Sequence, residues 1–159
     1  MANQNVRDAA ISEIMQSLRR IIKSLQDYSQ TVSNHFGITG PQLWALKTIN
    51  QTGSLRLGEL SEGMYLHPST VTGVVDRLER KGYVVRNRDD KDRRIVKVGL
   101  TPKGRILVRK SPNPVQGRMI YGLRKLKREK LDLIRGSLQD LVRMMEAQDL
   151  KVTFFFDEE

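Results

Sequence analysis

The 159-residue sequence predicts a mainly α-helical chain with one small β-hairpin. Three observations carry that expectation. Apolar residues recur at three- and four-residue spacing over most of the length, which places them on helical stripes. Proline and glycine fall where those stripes begin and end: Pro41, Pro68 and Pro102 near starts, Gly37, Gly53 and Gly82 at stops. Between about residues 83 and 100 the apolar period shortens to two around a charged loop, as in paired strands.

The elements follow in order. Ile14, Leu18, Ile21, Ile22, Leu25, Tyr28 and Val32 form one stripe, which predicts a long helix over residues 8–34. Thr39-Gly-Pro-Gln42 has the form of a capping box, in which the hydroxyl accepts from a free backbone N–H and the glutamine reaches back. It opens a second helix with Leu43, Leu46 and Ile49 inward, ended by Gly53. A short third helix spans about Leu57 to Met64, and after the turn Tyr65-Leu-His67 a fourth runs from Pro68 to Lys81. Strands are expected over Tyr83–Arg86 and Ile95–Leu100, with Val96, Val98 and Leu100 on one face and a loop over Asn87–Arg94. Thr101-Pro102 caps a fifth helix to about Lys110, and Ser111-Pro-Asn-Pro114 breaks it. Helical pattern resumes near Val115, and a last helix is expected over Arg128–Ala147. The organisation expected is an N-terminal helix for dimerisation (residues 1–38), a central unit (39–110), and C-terminal dimerisation helices with a tail (111–159). Phe154, Phe155 and Phe156 in that tail have no physical account beyond packing on a partner subunit.

Composition narrows the function. Lys and Arg number 28 against 18 Asp and Glu, a net charge of +10 that suggests a polyanionic partner. The charge is uneven: residues 55–110 hold 14 basic and 7 acidic side chains, whereas the segments on either side are nearly neutral. A second basic cluster, Lys125, Lys127, Arg128 and Lys130, reads as a solvated helix face. The absence of cysteine removes disulfides, thiolate metal sites and redox thiols. No apolar run approaches the roughly 18 residues of a membrane span, and the N-terminus lacks the pattern of a signal peptide. A soluble, cytoplasmic protein is expected. His35 and His67 are isolated, so no metal and no cofactor is expected. There is no phosphate-binding glycine loop and no nucleophile elbow, which argues against an enzyme. Asp89, Asp90 and Asp92 resemble a metal-binding run, but the cations among them oppose a divalent ion.

Helix, turn, helix, then hairpin is a winged helix-turn-helix. On its fourth helix Val71, Val74, Val75 and Leu78 cluster on the docking side, while Ser69, Thr70, Gly73, Asp76, Arg77 and Arg80 face away. Small hydroxyls near the N-terminus and arginines further along suit a helix entering the major groove. The hairpin reads Arg86-Asn-Arg88-Asp-Asp-Lys91-Asp92-Arg93-Arg94. A wing in a minor groove needs arginine at its tip and an acid to hold it, and Asp92 has the spacing to hold Arg94.

The stretch from Leu57-Gly-Glu-Leu-Ser through Asp76-Arg-Leu-Glu-Arg-Lys-Gly82, Asp92-Arg-Arg94 and Leu100-Thr-Pro-Lys-Gly104 resembles the MarR family of bacterial and archaeal transcriptional regulators, closely over about residues 57–104. The resemblance implies a homodimer interlocked through the terminal helices and bound to a pseudo-palindromic double-stranded operator. It implies Ser69, Thr70, Thr72, Gly73 and Arg77 as recognition-helix contacts. On the wing it implies Arg94 oriented by Asp92, and Arg88, Lys91 and Arg93 flank that pair. It also implies a small phenolic or other aromatic ligand that relieves repression, for which Tyr28, Phe36 and Trp44 are the candidate lining, with core packing as their other reading. His67 stands where many members have a capping serine, the Ser-Pro-Asn-Pro break interrupts a usually longer helix, and the missing cysteine excludes the family's peroxide-sensing chemistry. The alternative is a non-specific architectural DNA-binding protein of the same fold, separable from a regulator by its specificity ratio.

Overall fold

The computed structural model describes residues 2–150, so the triple-phenylalanine tail lies outside the described residues. The element order is α1 (Ala2–Phe36), α2 (Gly40–Thr52), α3 (Leu57–Met64), α4 (Pro68–Arg80), β1 (Val84–Arg88), β2 (Val96–Leu100), α5 (Pro102–Lys110), α6 (Val115–Arg124) and α7 (Arg128–Met144). The local punctuation acts as its chemistry dictates. Gln42 N donates to Thr39 Oγ1 at 3.4 Å, and Thr39 N donates to Gln42 Oε1 at 3.3 Å, closing the capping box of α2. Gly37, Gly53 and Gly82 all take positive φ at or just beyond helix ends, where a Cβ would be strained.

Two helix ends differ from the expectation by about three residues or more, the start of α1 and the end of α7; α1 also runs on to Phe36 and α4 stops at Arg80. α1 begins at Ala2 rather than near residue 8, because nothing before Gly37 breaks it and extending a nucleated helix is favourable even without apolar residues. α7 stops at Met144 rather than Ala147. There Glu146 takes φ 53°, Ala147 N donates to Val142 O at 3.0 Å, and Glu146 N donates to Arg143 O at 3.0 Å. This is a Schellman stop built without the glycine that would have announced it.

The two strands pair antiparallel with Val84 opposite Leu100, Arg86 opposite Val98 and Arg88 opposite Val96. Asn87 and Arg88 therefore belong to β1 and not to the loop. Val96 lies on the alternation of Val98 and Leu100, yet it is exposed because the hairpin projects beyond the helices at that end. A further bridge joins Leu55 to Val98, with N–H···O bonds of 3.1 and 2.8 Å in the two directions.

The core lies between residues 32 and 108 and is built from Val32, Ile38, Leu43, Leu46, Ile49, Leu60, Met64, Val71, Val75, Leu78, Val84 and Val98, among others. The apolar stripes read from the sequence of α2 and α4 are buried there, as are Leu60 and Met64 of α3, with Leu57 partly buried beside them. Lys47 on α2 donates to Val108 O and Ser111 O, both at 2.8 Å. It thereby pairs carbonyls freed where α5 ends, and its partial burial lowers the ammonium pKa. α7 has no buried residue, and Ile11, Ile14, Ile21 and Ile22 of α1 are exposed.

Candidate nucleic-acid interface

The recognition-type helix α4 starts with a histidine cap. His67 Nδ1 accepts from Ser69 N at 3.3 Å and lies 2.7 Å from Ser69 Oγ, so histidine fills the role a serine would have at this position. Pro68 occupies the first helical position, where a missing N–H costs nothing. Val71, Val74, Val75 and Leu78 are buried against α2 and α3, which leaves Ser69, Asp76, Arg77 and Arg80 exposed and Thr70, Thr72 and Gly73 half-buried. Thr72 Oγ1 donates to Pro68 O at 2.8 Å, so its hydroxyl proton is held within the helix and the methyl group is its free surface. An added Cβ at Gly73 would meet nothing within 4 Å.

The wing is braced to this helix by one arginine that the sequence pattern did not single out. Arg86 Nη2 donates to Asp76 Oδ1 at 2.6 Å, its Nη1 donates to Glu79 Oε2, and its backbone N donates to Glu79 Oε1 at 3.2 Å. Partial burial would lower the guanidinium pKa, but the bonds to Asp76 and Glu79 more than offset it and hold it above the usual value. Asp76 is thus spoken for on the outer face of α4, and the angle between helix and hairpin is held by a fork of charge-assisted bonds.

Beyond the brace the loop is organised by two aspartates. Asp89 Oδ1 accepts from Lys91 N at 2.9 Å and Asp92 N at 3.3 Å, while Oδ2 pairs with Lys97 of β2. Asp92 Oδ1 accepts from Arg94 N at 3.0 Å and Arg94 Nε at 3.1 Å, and Oδ2 accepts from Arg94 Nη2 at 3.3 Å. The Arg94 side chain is 92% exposed, so Asp92 aims it without covering it. Arg88, Lys91 and Arg93 are exposed around it.

The hydrogen bond from Lys97, then those from the Lys91 and Asp92 amides, pull the Asp89 carboxyl down to about 2. A folded-state pKa below the ordinary carboxylate value of about 3.9 means the bracing is intact above that value and is lost as pH falls through about 2. In an acid titration followed by NMR, the Lys91 and Asp92 amides are expected to keep their neutral-pH shifts down to pH ~3 and to move only below it. A midpoint near 4 would show that the Asp89 turn contributes nothing to wing order.

The side chains weighed for a ligand pocket lie elsewhere. Trp44 is in the core, and Tyr28 and Phe36 pack against it. The Tyr28 hydroxyl is buried without a hydrogen-bond partner, as is Gln116 Oε1 at the start of α6, and burial pushes the Tyr28 hydroxyl well above its usual pKa. A cleft of about 530 Å³ separates α1 and α2 from the end of α4. Its lining includes Ser33, Thr39, Arg77, Arg80 and Lys81, and none of the three aromatic residues.

Comparison with known proteins agrees with this geometry. The MarR family profile matches residues 38–96, from the end of α1 to the start of β2. A transcriptional regulator of Bacillus subtilis, YsmB, is 35% identical over 98 residues, 62% of this chain and 67% of that protein. The chain belongs to the MarR family. The transcriptional repressor MdtR of Bacillus subtilis is also 35% identical, over 62% of this chain and 64% of its own length. A solved MarR family protein from Bacillus stearothermophilus is 31% identical, aligns over 87% of this chain and 97% of its own, and superposes with a TM-score of 0.54. By family, then, this is a DNA-binding transcriptional regulator. No helix among the described residues is long and apolar enough to cross a membrane.

Membership also gives the Leu-Thr-x-x-Gly motif of this MarR chain a physical reading. Thr101 Oγ1 donates to Gly82 O at 2.7 Å and accepts from Gly104 N at 3.1 Å, so one hydroxyl both caps α5 and ties it to the turn after α4. Arg86 and Leu55 were the residues pattern reading missed. The signal available for Arg86 was the pair Asp76 and Glu79, two acids at i, i+3 on a face expected to meet an anion.

Proposed function

We propose that the chain is a homodimeric repressor of transcription that reads a pseudo-palindromic operator and is released by a small aromatic ligand. In this reading α4 enters the major groove with Ser69, Thr70, Thr72, Gly73 and Arg77, and the wing places Arg94 in the neighbouring minor groove with Arg88, Lys91 and Arg93 on the flanking phosphates. The observation that carries it is the fully exposed Arg94 clamped by Asp92 on a hairpin that Arg86 locks to α4. A rigid two-groove reader with a preset arginine supports base and shape readout more than loose coating of DNA. The name of the related MdtR supports repression over activation.

The dimer part of the proposal uses residues 1–38 and 111–159 as the interface and 39–110 as the DNA-binding unit. Ile11, Ile14, Ile21 and Ile22 on α1 and Leu131, Leu138 and Val142 on α7 expose apolar stripes that a twofold partner would cover. Ile14→Glu is expected to give a monomer by light scattering at micromolar concentration with helical content kept. A variant that stays dimeric would remove α1 from the interface.

Selection of bound fragments from random DNA tests the whole reading. The expected product is an inverted repeat bound about 10³-fold or more tighter than random sequence. Recovery of no motif, with binding that depends on salt alone, would favour the architectural role.

A further inference from the structure

The turn that delivers α4 contains an unexplained tyrosine. Tyr65 has φ 55° and ψ 40°, a left-handed conformation that suits glycine and strains any residue with a Cβ. Burial does not explain the choice, because the residue is 61% exposed. What the side chain does meet is Arg124, the last residue of α6. Arg124 Nη2 donates to the Tyr65 hydroxyl at 3.0 Å, and the guanidinium lies 5.9 Å from the ring centroid. Among the described residues this is the one side-chain hydrogen bond that α6 or α7 makes to the rest of the chain.

Its position gives it leverage. Tyr65 stands two residues before His67, the cap of α4. Arg124 stands at the far end of a helix whose near end follows the Ser-Pro-Asn-Pro break, so helix continuity with α5 does not set the direction of α6. Gln116 is buried and Ile120 packs on the core, which seats the near end and the middle; Arg124 fastens the tip. We infer that Tyr65 and Arg124 are a positioning pair that fixes the DNA-binding unit against the C-terminal helices, and so sets the half-site spacing at which two α4 helices meet one duplex. This rests on the homodimeric operator-binding reading above, since spacing has meaning only with two recognition helices on one site.

The test uses the operator recovered by selection, together with versions whose half-sites are moved one base pair apart or together. Tyr65→Gly keeps the left-handed turn and removes the ring; Arg124→Ala removes the other partner. Each variant is expected to remain dimeric, to melt no lower than the parent by more than a degree or two, and to bind an isolated half-site equally well. Each is expected to lose about tenfold in discrimination between the native and shifted spacings, and the double variant to lose no more than either single one. Discrimination unchanged in either variant, or losses that add in the double variant, would overturn the pair. A parent protein that binds all these DNAs alike would instead overturn the operator-binding reading itself, so the two failures are distinguishable.

Discussion

Gly104→Ala is expected to destabilise the protein by about 3 kcal/mol or more, at or beyond the upper end of ordinary overpacking costs. Alanine is the better helix former, by about 1 kcal/mol in an exposed helix interior, so propensity alone predicts the opposite sign. Geometry decides. A Cβ built on Gly104 would stand 2.1 Å from Tyr83 O and 3.1 Å from Tyr83 C, and the obstacle is backbone rather than the end of a flexible side chain. Tyr83 O has no room to yield, because it accepts from Thr101 N at 3.1 Å, lies 3.2 Å from Thr101 Oγ1, and β1 begins at the next residue. Relief therefore means moving the first turn of α5 off the start of the hairpin and breaking the Thr101 bonds that join them. Thermal unfolding of the variant should come on the order of 10 °C earlier than the parent. An equal or higher melting temperature would show that α5 can slide, and that the threonine and glycine of this motif are not there for close approach.

What the sequence makes legible is set by how far along the chain an interaction reaches. Devices that close within four residues were legible: Thr39 with Gln42, Pro68 after His67, Gly82 after Lys81 and Thr101 with Gly104 all function as their spacing suggests. So were the stripes of α2 and α4, because burial has a period. The bracing of the site was not. Arg86 meets Asp76 and Glu79 only after the chain has turned from helix to strand, and in the sequence it looked like one more wing cation. Leu55 pairs with Val98 across 43 residues, with no alternation around it to suggest a strand. Lys47 reads as a surface lysine until the end of α5 is seen to lie over it. The end of α7 was misplaced because Glu146, not glycine, takes the left-handed turn.

Arg94→Ala is expected to weaken operator binding by roughly 1–3 kcal/mol, about fivefold to more than a hundredfold, while leaving stability nearly unchanged. The two halves of that expectation have separate grounds. Among the described residues the Arg94 side chain bonds only to Asp92 and is otherwise in solvent, so its removal breaks no packing. Its guanidinium is nonetheless held in place before any DNA arrives, so less rotamer entropy is lost on docking than for the untethered Lys91 or Arg93 beside it. Asp92→Asn separates orientation from charge. It removes one negative charge from the wing, and if only the net charge of the wing mattered, affinity for DNA would rise. If Asp92 acts by holding the arginine, affinity falls, by less than in Arg94→Ala because the cation remains. Binding isotherms of the two variants at one fixed salt concentration give the sign directly. Weaker binding by both, with the alanine variant weaker, supports a preset arginine; unchanged binding by Arg94→Ala would place the wing off the DNA. Tighter binding by Asp92→Asn would reduce the wing to a source of charge.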